Sequence, residues 1–150
     1  MLLLGIDSKG KAATLLQIMT APLRKRLEEV RHALLTLHKA LVDSERISYE
    51  QTVGAIRSPN HFLQLLTSDP WFAWLQPFSQ LIVSMDEALD AKEPLTSAAV
   101  DALVKEASLL LAPSESGEGF SRHYFDALQR DPDVIFAHAE ATKLIGRKKP

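Results

Sequence analysis

Residues 23–41 read LRKRLEEVRHALLTLHKAL, and their apolar side chains recur in alternating steps of four and three residues. This spacing places six side chains on one stripe of an α-helix: Leu23, Leu27, Val30, Leu34, Leu37 and Leu41. Upstream, Leu16 and Met19 continue the same stripe past Pro22, a residue that predicts a kink or break. The pattern therefore predicts a long amphipathic helix that packs one face against the rest of the chain.

Four capping signals divide the rest of the chain into shorter helices. The capping oxygens belong to Ser58, Asp69, Thr96 and Asp131. Three of these residues directly precede a proline, which favours the first turn of a helix. The apolar face from Trp71 to Leu89 predicts the second main helix, which Pro77 would kink or divide.

No alternating strand pattern competes with these helices, and residues 113–119 have the Ser, Glu and Gly content of a loop. We therefore predict an all-α fold, a compact single-domain bundle of about five to seven helices with one long central helix. Residues 1–11 are expected to form an N-terminal arm, residues 12–146 the helical domain and residues 147–150 a disordered basic tail.

Composition limits the possible functions. The chain has 150 residues, of which 46% are hydrophobic, and this is enough to bury a core in one domain. It has no cysteine, which excludes disulfides, thiolate zinc sites and cysteine nucleophiles and fits a reducing compartment. A net charge of −2 gives no general attraction to nucleic acid, and no apolar run reaches the roughly 20 residues that span a bilayer. We expect a cytoplasmic protein that binds neither nucleic acid nor membrane.

The N-terminal sequence contains a possible phosphate-binding motif. Residues 5–12 read GIDSKGKA, with Gly10-Lys11 in register, and the stretch Leu2 to Leu15 resembles the nucleotide-binding loop of small GTPases of the ADP-ribosylation-factor type. The resemblance implies a strand, a loop around phosphate and a hydroxyl that holds magnesium. The hydroxyl position is Ala12, and no Asn-Lys-x-Asp motif follows. We interpret the match as accidental and expect no cofactor.

The amphipathic stripe becomes polar at Ser44 and Ser48, where the first candidate site lies. His38, Glu45 and Tyr49 share this part of the helix at spacings of seven and four residues. An inward face would offer an imidazole, a carboxylate and a phenol for acid–base work or ligand orientation. The favoured interpretation is instead a solvated helix end with surface ion pairs, in which Glu45 is exposed.

Two further clusters have both a structural and a functional interpretation. Trp71 and Trp74 lie within one turn after a cap, where they would either pack into the core or anchor a ligand or partner. The basic residues 24–26 would either meet nucleic acid or form a solvated face, and the solvated face is favoured. The five histidines never occur at the spacing of a helical metal site, so we expect no bound metal.

The leading hypothesis for function is an interaction module without evident catalytic activity. It would form a homodimer, or bind another protein, through an apolar helical face. The alternative is a small-molecule-binding bundle or enzyme, whose pocket would use His38, Glu45, Tyr49, Trp71 and Trp74. No residue is assigned a catalytic or metal-binding role.

Overall fold

A computed structural model describes residues 2–147, with side chains from residue 10 onward. Within this range all of the regular secondary structure is helical, and no residue forms a strand. The elements are α1 (Leu2–Thr52), α2 (Pro59–Ser68), a 3-10 helix (Pro70–Leu75), α3 (Gln76–Asp90), α4 (Ser97–Leu110), α5 (Phe120–Arg130) and α6 (Pro132–Ile145). The predicted all-α fold with one long helix is confirmed. Residues 148–150 of the predicted tail lie outside the described residues.

Helix α1 runs through Pro22 without interruption, so of the kink or break expected there the break does not occur, and both flanking segments are helical as predicted. The proline leaves the carbonyl of Ile18 without its helical donor, and both residues are exposed, so water can satisfy that group. Residues 5–12 lie within the same helix. A helix interior uses its amides for its own hydrogen bonds, so the backbone cradle implied by the GTPase resemblance is not formed.

The core is built on the stripe of α1 between Leu27 and Leu41, whose apolar side chains are buried, while Leu23 is partly buried. Helix α6 lies antiparallel along α1. Just after the end of α6, Arg147 forms an ion pair with Glu29 at 3.7 Å, and just before its start, Arg130 of α5 hydrogen-bonds to Ser44. Helices α3 and α4 also pack against α1, so the long helix touches most of the bundle.

All four predicted caps are confirmed. Each side chain accepts a hydrogen bond from a backbone amide two or three residues later: Ser58 from His61, Asp69 from Trp71, Thr96 from Ala99 and Asp131 from Asp133. The Asp69 cap begins the 3-10 helix, and Pro77 stands in the first turn of α3. The predicted helix from Trp71 to Leu89 is therefore divided into two.

Candidate functional site

Ser44 and Glu45 are buried polar residues of α1, with exposed fractions of 3% and 6%. The prediction that Glu45 is exposed is therefore wrong, although a surface ion pair of the expected kind is present between Arg46 and Glu50 at 3.4 Å. The stripe turns polar because polar partners from elsewhere in the chain cover it: Trp71 from the 3-10 helix and Arg130 from the end of α5. We refer to Ser44, Glu45, Trp71 and Arg130 as the Glu45 cluster.

Both carboxylate oxygens of Glu45 are occupied. Trp71 Nε1 donates to Oε2 at 2.8 Å, and Arg130 Nη2 donates to Oε1 at 2.9 Å. The same guanidinium donates to Ser44 Oγ from Nη2 at 3.1 Å and from Nε at 3.2 Å. Since a buried charge is tolerated only when it is paired and hydrogen-bonded, this arrangement is what allows Glu45 to lie in the core.

Sequence reasoning missed Arg130. The residue lies 85 positions from Glu45, and its own surroundings show only a basic side chain in the last turn of a helix, which the helix dipole favours anyway. No local pattern distinguishes that role from an ion pair with a distant carboxylate. The Glu45 cluster joins α1, the 3-10 helix and α5, so its evident effect is to hold these three elements together.

Tyr49 extends the Glu45 cluster toward the aromatic core. Its ring meets Trp71 edge-on at a centroid distance of 5.7 Å and packs at 5.6 Å from Phe72. Glu45, Tyr49 and Trp71, three of the five candidate residues, are thus brought together. A surface groove of about 710 Å³ lies beside Tyr49, between the end of α1 and the start of α2, and no other candidate residue lines it.

The other two candidates lie elsewhere. His38 Nε2 is 2.9 Å from Ser79 Oγ, and its ring is 5.5 Å from that of Phe78. Trp74 stacks on His123 at a centroid distance of 5.2 Å, and its buried Nε1 has no hydrogen-bond partner among the described residues. The structure therefore does not join the five candidate residues around one pocket.

Two partly buried histidines, His38 and His138, predict that stability depends on pH. Burial lowers the pKa of His38 and of His138, and His138 Nδ1 lies within hydrogen-bonding distance of the Tyr124 hydroxyl. Because the unfolded pKa is about 6.5, the unfolded chain binds protons first as the pH falls. The stability that neutral His38 and His138 contribute is therefore complete above about pH 6.5. It is lost as the pH falls below about 6.5 and through the lower pKa values that the two histidines have in the folded state.

We therefore expect the free energy of unfolding, measured with urea, to decrease between pH 7.5 and 5. His138→Gln should reduce this dependence, since glutamine carries an amide that can hydrogen-bond to the Tyr124 hydroxyl but does not titrate. His32 is exposed, so His32→Gln is the matched control and should leave the slope unchanged. A slope that is flat in the wild type, or equally reduced by both variants, would contradict this account.

The basic residues at the start of the packed part of α1 are only partly solvated. The side chain of Lys25 is 78% exposed, but that of Arg26 is only 14% exposed and pairs with Asp101 at 3.1 Å. Arg31 pairs with Asp86. The predicted solvated face therefore applies to Lys25 and is wrong for Arg26, which is drawn inward by a carboxylate on α4.

The N-terminal part of α1 carries the most concentrated apolar surface among the described side chains. Leu15, Leu16, Ile18 and Met19 are 58%, 47%, 63% and 71% exposed, and we call these four residues the N-terminal apolar face. A groove of about 570 Å³ lies beside them, between Ile18 on α1 and Leu144 on α6.

In the part of the chain that the structure describes, no three His, Asp or Glu side chains converge as a metal site requires. Over the same residues, none of the helices combines the length and the apolar character needed to cross a bilayer. Comparison of the chain with protein-family models, curated proteins and solved structures gave no match.

Proposed function

We propose that this chain is a helical interaction module that self-associates through the N-terminal apolar face of α1. The observation that carries the proposal is the exposure of four large apolar side chains within five consecutive residues of one helix. Single exposed hydrophobic residues are ordinary, whereas a contiguous apolar patch marks an interaction surface. The lack of cysteine is compatible with a role in the reducing cytoplasm.

The limited support that the bundle gives to residues 10–22 of α1 favours the same proposal. From residue 10 to residue 22 every side chain is exposed except Thr20, which is half-buried, so the bundle contributes little to holding the segment helical. An isolated helix of about 12 to 15 residues is only marginally stable in water. A second apolar surface packed on the segment would supply the missing stabilisation.

The Glu45 cluster supports a structural role better than ligand binding. Its carboxylate and guanidinium already bind each other and their neighbours, so few polar atoms are left to recognise a small molecule. The groove beside Tyr49 is open and shares no other residue with the candidate set. Self-association therefore has the better geometric support.

We expect the wild-type chain to form dimers in a concentration-dependent manner, measured by sedimentation equilibrium. Ile18→Glu should weaken the dimer by roughly a hundredfold or more, because burying an isoleucine side chain is worth about 1.5–3 kcal/mol and each of the two copies loses one. Leu63→Glu on α2 is the matched control, since Leu63 is 59% exposed, and it should dimerise like the wild type. A monomeric wild type, or equal effects of the two variants, would contradict the proposal.

A further inference from the structure

We infer that two copies pair with their α1 helices antiparallel, along one stripe that we call the α1 seam. The seam consists of Lys11, Leu15, Ile18, Pro22, Lys25 and Glu29. The inference rests on the proposed self-association and adds to it an orientation and a register. Successive seam residues are separated by four, three, four, three and four positions, the spacing that keeps two packed helices in contact.

The α1 seam lies where the bundle leaves a helix position open. Four of its residues, from Ile18 to Glu29, line the groove that Leu144 and Arg147 close on the other side. Helix α6 ends at Ile145, beside Glu29, so within the described chain no helix covers the seam farther toward the N-terminus. A helix from a second copy would lie along this uncovered part of α1, beside the end of α6 and not in line with it, because the partner's α1 is helical from Leu2 and extends past Glu29.

The residues of the seam complement one another in the antiparallel orientation. One register places Lys11 opposite Glu29, Leu15 opposite Lys25 and Ile18 opposite Pro22, and two-fold symmetry forms each pairing twice. Opposite charges then meet at both ends of the seam, where Lys11 of one copy would join the exposed ion pairs that Glu29 of the other already forms with its own Lys25 and Arg147. Apolar side chains meet at the centre of the seam. The methylene groups of Lys25 can cover Leu15 while its ammonium remains in water.

Charge disfavours the parallel orientation. In a parallel two-fold pair every seam residue faces its own copy, so Lys11 meets Lys11, Lys25 meets Lys25 and Glu29 meets Glu29. Like charges placed opposite each other lower affinity and select against that arrangement. The sequence of the seam thus specifies an orientation as well as a surface.

The size of the seam predicts a weak dimer. From Lys11 to Glu29 the overlap is about 27 Å of helix at 1.5 Å per residue. Each chain contributes three apolar seam residues, Leu15, Ile18 and Pro22, flanked by Met19 and Leu144. A contact of this kind lies toward the low end of specific interfaces, which typically bury about 800 Å² per partner. Association should therefore be readily reversible on dilution.

A charge-exchange experiment tests the register. Lys11→Glu places two carboxylates together at each end of the dimer, and Glu29→Lys places two ammonium groups there. Each variant alone should dimerise about five- to tenfold more weakly than the wild type at low salt, because two exposed pairs change from attraction to repulsion. An equimolar mixture of the two variants should recover wild-type affinity, since both ends of the mixed dimer then pair opposite charges.

The control for this experiment is Glu28→Lys. Glu28 is next to Glu29 and forms an i,i+4 pair with Arg24 at 3.6 Å, as Glu29 does with Lys25 at 4.0 Å, but it is not a seam residue. The variant should dimerise like the wild type. If association depends on Ile18 but is unaffected by Lys11→Glu and Glu29→Lys, or is not recovered on mixing, the register is overturned and self-association stands. If the wild type stays monomeric, both proposals fail.

Cysteine cross-linking tests the orientation independently, because the chain has no cysteine of its own. Under mild oxidation, Ile18→Cys mixed with Pro22→Cys should give a disulfide-linked heterodimer in good yield. Ile18→Cys alone should give much less covalent dimer. The reverse result, efficient linkage of Ile18→Cys with itself, would show a parallel pair and overturn the antiparallel assignment.

Discussion

Replacing Glu45 by alanine should lower the free energy of unfolding by about 3 kcal/mol. Removing one partner of a buried ion pair leaves the other charge without compensation, and this typically costs 3–5 kcal/mol. Here the substitution deprives the Arg130 guanidinium of its carboxylate and Trp71 Nε1 of its acceptor. The expected loss is at the low end of the range because the Arg130 side chain is 38% exposed, so water recovers part of its solvation.

Urea unfolding of Glu45→Ala and of Glu28→Ala measures this effect. Glu28 lies on the same helix, and its side chain is 55% exposed, so its removal should change stability by no more than about 0.5 kcal/mol. Glu45→Gln should fall between the two, because the amide oxygen still accepts a hydrogen bond after the charge is gone. Equal losses for Glu45→Ala and Glu28→Ala would show that the Glu45 cluster contributes no stability.

The contrast between the stripe of α1 and the Glu45 cluster shows what the sequence could predict. The stripe and the four caps depend on residues within one or two turns of each other, so their spacing alone identifies them. The burial of Glu45 depends on Trp71 and Arg130, which are 26 and 85 residues away. A local pattern contains no information about such distant partners. From the sequence alone, a buried carboxylate at the polar end of a stripe therefore cannot be distinguished from a solvated one.

The same limit explains why the five candidate residues do not form one pocket. His38, Glu45 and Tyr49 share a stretch of α1, but seven residues separate the first two by about 10 Å along the helix axis. Different elements cover the two positions: Ser79 of α3 meets His38, and Trp71 of the 3-10 helix meets Glu45. Sharing a helical face therefore did not imply sharing an environment.

Phe78→Ala should have the largest effect on stability among the substitutions considered, a loss of about 4 kcal/mol. Phe78 is completely buried in α3, and its ring centroid lies 5.5 Å from that of His38 on α1 and 6.1 Å from that of Phe120 on α5. Truncating it removes the apolar contacts and leaves a cavity between three helices that collapse only partly. For a chain of this size, such a loss corresponds to a fall in Tm of roughly 8–16 °C.

Phe136→Ala on α6 provides the matched control, because it deletes the same atoms from a side chain that is 73% exposed. No cavity forms at such a site, so the change in stability should stay within about 0.5 kcal/mol. Thermal and urea unfolding, followed by circular dichroism at a concentration where the chain is monomeric, compare the two variants without a contribution from association. Equal losses would mean that the three helices do not depend on Phe78, whereas a large loss only for Phe78→Ala would locate the packing centre where α1, α3 and α5 meet.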